Sequence, residues 1–112
     1  MHDNRFNDPK FIVWSKACKV RDNFTCQLCE KRGVELNSHH KNSWDKYINQ
    51  RYDLENSITL CSKCHTRFHD TYGYGNNTQY QFEQFVDIYT TLRKIAAKYA
   101  ENIENKNYMK KS

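Results

Sequence analysis

Two pairs of cysteines, Cys26-Gln27-Leu28-Cys29 and Cys61-Ser62-Lys63-Cys64, constrain this chain more than any other feature. Each C-x-x-C turns two thiolates toward one point. Two such knuckles present four sulfurs tetrahedrally, the arrangement a structural zinc prefers. The chain has five cysteines in all, and an odd number disfavours a disulfide framework. A lone C-x-x-C would suit a redox pair, whereas a matched set reads as a metal staple. The 31 residues between Cys29 and Cys61 exceed the roughly 15–20 of a simple zinc ribbon, so something is inserted between the knuckles. The leftover Cys18 reads as a small buried apolar residue of a helix.

A length of 112 residues gives one domain, taken as 1–112 with its core at about 21–72. A core this small needs a staple, and a metal supplies one. With 38% hydrophobic and 28% charged residues, no run approaches the roughly 18 apolar residues that span a bilayer. Met1 to Arg5 lack the basic-then-apolar layout of a signal peptide, and 14% aromatic content argues against disorder. The expectation is a small soluble intracellular protein without a membrane partner.

Eighteen Lys and Arg against thirteen Asp and Glu give a net charge of +5, a weak pointer to nucleic acid. Residues 1–32 carry net +3, residues 33–72 net zero and residues 73–112 net +2. The neutral middle holds four of the five histidines. That pattern suits chemistry in the middle and flanks that hold a polyanion, although ordinary solvated surface charge gives the same balance.

Residues 1–8 are polar and expected to be extended. Asp8 can cap a helix that starts at Pro9 and runs to about Arg21 on a stripe of Phe11, Ile12, Trp14, Ala17, Cys18 and Val20. Residues 22–33 form the first knuckle, ended by Gly33. A strand follows through Ser38-His39-His40, then a loop over 41–56, then a second strand Ser57-Ile58-Thr59-Leu60 that leads into Cys61. Residues 62–71 look helical. Apolar residues at Phe82, Phe85, Val86, Tyr89, Leu92, Ile95, Ala96 and Tyr99 have helical spacing, which predicts an amphipathic helix over 79–102 and a frayed end over 103–112.

On the helix after the second knuckle, neighbours point about 100° apart, so Cys64 and His65 do not readily bind one ion. His65 and His69 are four apart and share a face, a good half-site for a metal. Surface or packing histidines are the plain alternative. A zinc on Cys26, Cys29, His65 and His69 is rejected, because the 35 residues between Cys29 and His65 far exceed the roughly 12 of a two-cysteine, two-histidine finger. It would also orphan Cys61 and Cys64.

Ser38-His39-His40, Asn56, His65 and His69, framed by the two C-x-x-C pairs, resemble the HNH nuclease family over about Arg21 to His69. Asn4-Arg5-Phe6 through Trp14 and Val20-Arg21-Asp22 look like the lead-in of its phage-type members. The combination is specific: an HH pair, an Asn 16 residues after His40, and a His nine residues after that Asn. The resemblance implies an α+β fold, a small zinc-stapled ββα-metal core with an N-terminal helix and a long C-terminal amphipathic helix. It implies a metal-dependent endonuclease that nicks or cuts double-stranded DNA. The setting would be the cytoplasm of a bacterial or phage-infected cell, and the protein a monomer or homodimer. Residue by residue, it makes His40 the general base, His39 and His65 ligands of a divalent ion, His69 an extra ligand, and Asn56 either the orienter of the loop between the strands or, as in some members, a residue that approaches the metal. Cys26, Cys29, Cys61 and Cys64 would hold structural Zn2+. Many members have Asp where this chain has His39. An all-histidine site suits Mn2+, Ni2+, Co2+ or Zn2+ better than Mg2+.

Histidine has the near-neutral pKa that activating water requires, and a cation stabilises the phosphate and the departing 3′ oxygen. Lys41, Lys46, Arg51 and Arg67 are candidates to touch DNA, while Trp44, Tyr47, Tyr52 and Tyr74 are read mainly as packing residues. One point resists simple geometry. Adjacent strand residues point to opposite faces, so His39 and His40 share a site only at a strand end or a distortion. The alternative to an enzyme is a non-catalytic, zinc-stabilised DNA-binding module of the same fold.

Overall fold

A computed structural model describes residues 5–111, with side chains through Ile103. Residues 1–4 of the expected extended stretch, and Ser112, lie outside the described residues. Arg5–Asn7 form a single tight turn rather than extended chain. Asp8 then begins helix α1 (Pro9–Arg21). Its carboxylate accepts the Lys10 N–H at 2.9 Å, and Pro9 occupies the position where a missing N–H costs nothing. Phe11, Trp14 and Cys18 are buried, three and four residues apart on one face, while Ile12, Val13 and Val20 remain exposed. Cys18 is completely buried, with its sulfur 3.3 Å from the Thr59 hydroxyl, as its reading as a core residue requires.

Asp22 ties the end of α1 to the sheet. One carboxylate oxygen accepts the Thr59 N–H and the Arg21 guanidinium, each at 2.9 Å. Arg21 also donates to the Leu54 and Ser57 carbonyls at 2.8 and 3.0 Å. Burial pushes the Asp22 pKa up, but the bonds from Arg21 and Thr59 outweigh it and hold it below the usual aspartate value. Asp22→Asn is therefore expected to lower stability by about 1–2 kcal/mol at neutral pH. A depressed native pKa adds stability above the unfolded value and loses it as pH falls through the native one. The deficit of the variant should shrink below about pH 4, as urea titrations at pH 7 and pH 3 would show.

Strands β1 (Leu36–His40) and β2 (Ser57–Cys61) pair antiparallel, with Leu36 opposite Cys61 and His40 opposite Ser57. The connection over 41–56 is irregular as expected, with single turns at Ile48–Gln50 and Leu54–Asn56. Helix α2 (Ser62–Tyr72) starts directly from β2, and Cys61 is both the last strand residue and the helix cap. Period-two alternation divides β1 between the two helices. Ser38 and His40 face α1, where the Ser38 hydroxyl donates to the Ser15 carbonyl at 2.8 Å and His40 stacks on Trp14. Asn37 and His39 face α2, next to His65 and Phe68. Thr59, Leu60 and Phe68 have no exposed surface and form the centre of the core.

Helix α3 runs Gln79–Lys111, beyond the expected end at 102, so the segment expected to fray is helical through Lys111. Ile103 extends the apolar spacing by one further turn, and no Gly or Pro follows to stop the helix. The described residues divide into two compact units, one ending at Phe82 and one beginning at Glu83. In the first, Phe82 lies 5.8 Å from Phe68 and 5.3 Å from His39, ring centre to ring centre. In the second, Phe85 is buried. Leu92, Ile95 and Tyr99, on the apolar stripe that the spacing predicts, are 59–67% exposed. Among the described residues no helix is long and apolar enough to cross a membrane.

Candidate active site

The two knuckles meet. The sulfurs of Cys26, Cys29, Cys61 and Cys64 all lie within 4.8 Å of one another. Those of Cys29 and Cys61 are 3.7 Å apart, against about 3.8 Å expected between thiolates bound tetrahedrally at about 2.3 Å. The two knuckles are built alike, with the Cys29 N–H donating to the Cys26 sulfur and the Cys64 N–H to the Cys61 sulfur, both at 3.5 Å. Burial raises the Cys26 thiol, yet the N–H groups around it bring its pKa down to about 7, while burial pushes Cys64 up. Four thiols this close do not all ionise without a cation among them, so the cluster could hold a zinc ion.

His65, next in sequence to Cys64, points elsewhere, as the 100° step on a helix requires. Its ring joins those of His39 and His69 in a second cluster whose ligating nitrogens also fall within 4.8 Å. Hydrogen bonds set the tautomers. His69 Nδ1 lies 3.0 Å from the Gly73 carbonyl and His65 Nδ1 lies 3.2 Å from the Asn37 amide oxygen. Both partners accept, so both Nδ1 atoms carry the proton and both Nε2 atoms present lone pairs. Those two Nε2 atoms face each other at 3.0 Å. Lone pairs repel at that distance, and a cation between them removes the conflict. The buried Nε2 of His39 has no hydrogen-bond partner among the described residues, an arrangement costly for a polar nitrogen unless something binds it. Burial, followed by the neighbouring His65 and His69, holds the His39 pKa well below 6.5, and burial brings His65 to about 4. Both rings are neutral at pH 7, the form that ligates metal. The donor set fits a divalent ion.

His40 sits beside this cluster in a different environment. Its ring stacks on Trp14 at 3.8 Å with 13° between planes, and the Trp14 Nε1–H is anchored to the Asp53 carbonyl at 2.8 Å. His40 Nε2 lies 2.9 Å from the Arg51 carbonyl, which only accepts, so the proton is on Nε2 and Nδ1 is free to take one. Burial, together with the charges of Arg5 and Arg51, lowers its pKa to about 4 against the raising effect of that carbonyl, so the ring is neutral and able to take a proton at pH 7 but is a weaker base than the near-neutral histidine expected from the sequence.

Both sites open on one cavity of about 660 Å³, lined by Asn37, Ser38, His39 and His40 in succession. That succession explains how adjacent residues share a site. Strand β1 pairs on one side only, so the cavity runs along its free edge and meets side chains from both faces. His40 is also the last residue of the strand. Asn56 lies outside the cavity and holds its frame. Its amide nitrogen donates to the Asn42 and Gln50 carbonyls at 2.9 and 3.2 Å, and its oxygen accepts the Asn42 N–H at 2.8 Å. It thus clamps the loop between the strands and does not join the histidine cluster.

Lys41, Arg51 and Arg67 do not line the cavity. Arg51 donates to the Trp44 carbonyl at 2.7 Å and lies 4.4 Å over the Trp44 ring, so it braces the loop, while Arg67 is exposed on α2. Arg5 and Lys19 line it instead. Lys19 carried a legible signal, since Phe11, Ser15 and Lys19 repeat every four residues along one side of α1 and all three line the cavity. Asn37 did too, being two residues from His39 on the same strand face.

A family model described as HNH endonuclease matches residues 26–71. "Anaredoxin" from Nostoc sp. (strain PCC 7120) is 30% identical over 54 residues, which cover 48% of this chain and 68% of that protein. No solved structure matches.

Proposed function

Because the chain belongs to the HNH endonuclease family, which suggests a nuclease or DNA-binding function, we propose that it is a metal-dependent endonuclease that hydrolyses DNA phosphodiesters. The observation that carries this reading is the pairing, in one cavity, of a three-histidine cluster with a histidine whose free Nδ1 is oriented by a carbonyl on its other nitrogen. A zinc-stabilised binding module needs the four cysteines but neither of these.

His39, His65 and His69 would hold the divalent ion, which when bound supplies charge stabilisation for the scissile phosphate and for the 3′ oxygen as it leaves. His40 takes a proton from the water that attacks phosphorus in line. The Arg51 carbonyl keeps the ring in the tautomer that can do so and stabilises the imidazolium that forms. Trp14 fixes the ring plane. The products are 5′-phosphate and 3′-hydroxyl ends. The four cysteines hold structural zinc, apart from the reacting atoms.

The test is conversion of supercoiled plasmid to open circles with Mn2+, Ni2+, Co2+, Zn2+ or Mg2+ added. Nicking is expected to be faster with the borderline metals than with Mg2+, as an all-nitrogen donor set favours. At the metal concentration that just saturates the parent, it should be largely lost in His65→Ala protein prepared identically. Equal nicking by both proteins would refute the reading. Asn37→Ala removes the acceptor that orients His65, so the apparent affinity for the activating ion is expected to fall about 10–100-fold, read from the metal dependence of nicking.

A further inference from the structure

Tyr74 is 78% exposed yet held in place. It lies parallel to the His69 ring, 4.3 Å away with 12° between planes, so one face is covered by imidazole and the other is open. The turn that carries it is fixed: Gly73, Gly75 and Asn76 all have positive φ, and the Asp45 carboxylate accepts the Asn76 N–H at 3.1 Å. A side chain at Gly75 would put its Cβ 3.2 Å from that carboxylate, which helps keep the turn as it is. On the His40 side of the cavity Phe6 has a similar posture. It is 71% exposed and rests against Phe11 at 5.4 Å in an edge arrangement, and Phe11 in turn stacks on His40. Both exposed rings line the histidine cavity, together with the cations Arg5, whose guanidinium lies 5.8 Å over the Phe6 ring, and Lys19.

Single exposed aromatics are ordinary, but two on the wall of one basic cavity form a patch with a use. Rings interleaved with cations on a chain of net charge +5 suit nucleic acid, with bases on the rings and phosphates on Arg5 and Lys19. In an intact duplex each base is already stacked on its neighbours and turns only its edge to a groove. A protein ring can take a base face only when the base leaves that stack. We propose that Phe6 and Tyr74 are stacking platforms for nucleotides flanking the scissile phosphate, so that the preferred substrate is DNA with a single-stranded or unpaired segment at the cleavage position. The inference rests on the nuclease reading for the word substrate, while the binding preference stands by itself.

The experiment measures fluorescence anisotropy of labelled DNA with the full chain carrying His40→Ala, so that nothing is cut during titration. Three ligands of one sequence are compared: a single strand, a perfect duplex, and a duplex with a central unpaired bubble. Single strand and bubble are expected to bind about tenfold more tightly than duplex. Adding Tyr74→Ala or Phe6→Ala should each cost about tenfold on those two ligands and leave the duplex little changed. Tyr74→Phe, which keeps the ring, should bind like the parent, and thermal melting checks that every variant is folded. Duplex binding as tight as the bubble, or single-strand binding indifferent to both alanine changes, overturns the proposal. Cleavage by the parent chain on the same three ligands separates the two readings. Ring-dependent bubble binding without cutting under any metal keeps the platforms and refutes the nuclease.

Discussion

His40→Ala is expected to lower metal-dependent DNA cleavage by about 10²–10⁴-fold, the range for loss of a general base, while DNA binding and metal content stay intact. The expectation comes from the ring's two nitrogens. Nε2 is committed to the Arg51 carbonyl, so Nδ1 is the atom available to water. The change also empties a space against Trp14 and Phe11, which costs stability independently of chemistry. Added imidazole distinguishes the effects, since a free base can enter that space and restore part of the rate but cannot mend a generally weakened fold. His65→Ala should behave differently, because its loss falls on the affinity for the ion and a higher metal concentration recovers some activity. Equal cleavage by His40→Ala and parent proteins would remove His40 from the mechanism.

The second large effect is on folding. Cys64→Ser, or removal of zinc by a strong chelator, is expected to unfold the unit that ends at Phe82. A structural zinc contributes about 10–16 kcal/mol of apparent binding free energy, as much as or more than the roughly 5–15 kcal/mol by which a domain is stable. The cluster joins the segment after α1 to the junction of β2 and α2. The same region is stitched by the Gln27 N–H to the Thr59 carbonyl at 2.9 Å, and there is little apolar core behind it to compensate. Far-UV circular dichroism should report the loss, and Co2+ in place of zinc should give the visible absorption of a tetrahedral four-thiolate site in the parent chain only. Cys18→Ala should leave that absorption unchanged, since Cys18 packs on Thr59 away from the cluster. A Cys64→Ser chain that keeps its fold without metal would show that the cysteines do not staple it.

Much of the architecture was legible because its signals are local. Asp8 and Pro9 mark a helix start through capping chemistry, and the helix starts there. The angular step between Cys64 and His65 assigns them to different clusters, and they belong to different clusters. The long helix was legible in kind but not in extent or burial. Spacing reveals which residues share a face, but not whether anything covers that face, and Leu92, Ile95 and Tyr99 are exposed.

The candidate site divides along the same line. Residue types and their spacing along the chain determined the four sulfurs and the His65–His69 pair, because coordination chemistry depends on donor atoms that are written in the sequence, whereas His39 entered through the resemblance to the HNH family. Only the tertiary structure decided how His39 and His40 come to share a cavity, which depends on the free edge of β1 left by a two-stranded sheet. It also decided which nitrogen of each histidine is free, since the partners Arg51, Asn37 and Gly73 lie 11, 28 and 4 residues away in the chain. And it placed Arg5 and Lys19, rather than Lys41, Arg51 or Arg67, on the cavity wall. A hydrogen bond or a cavity wall is a relation between distant segments, and it exists only once the chain has folded them together.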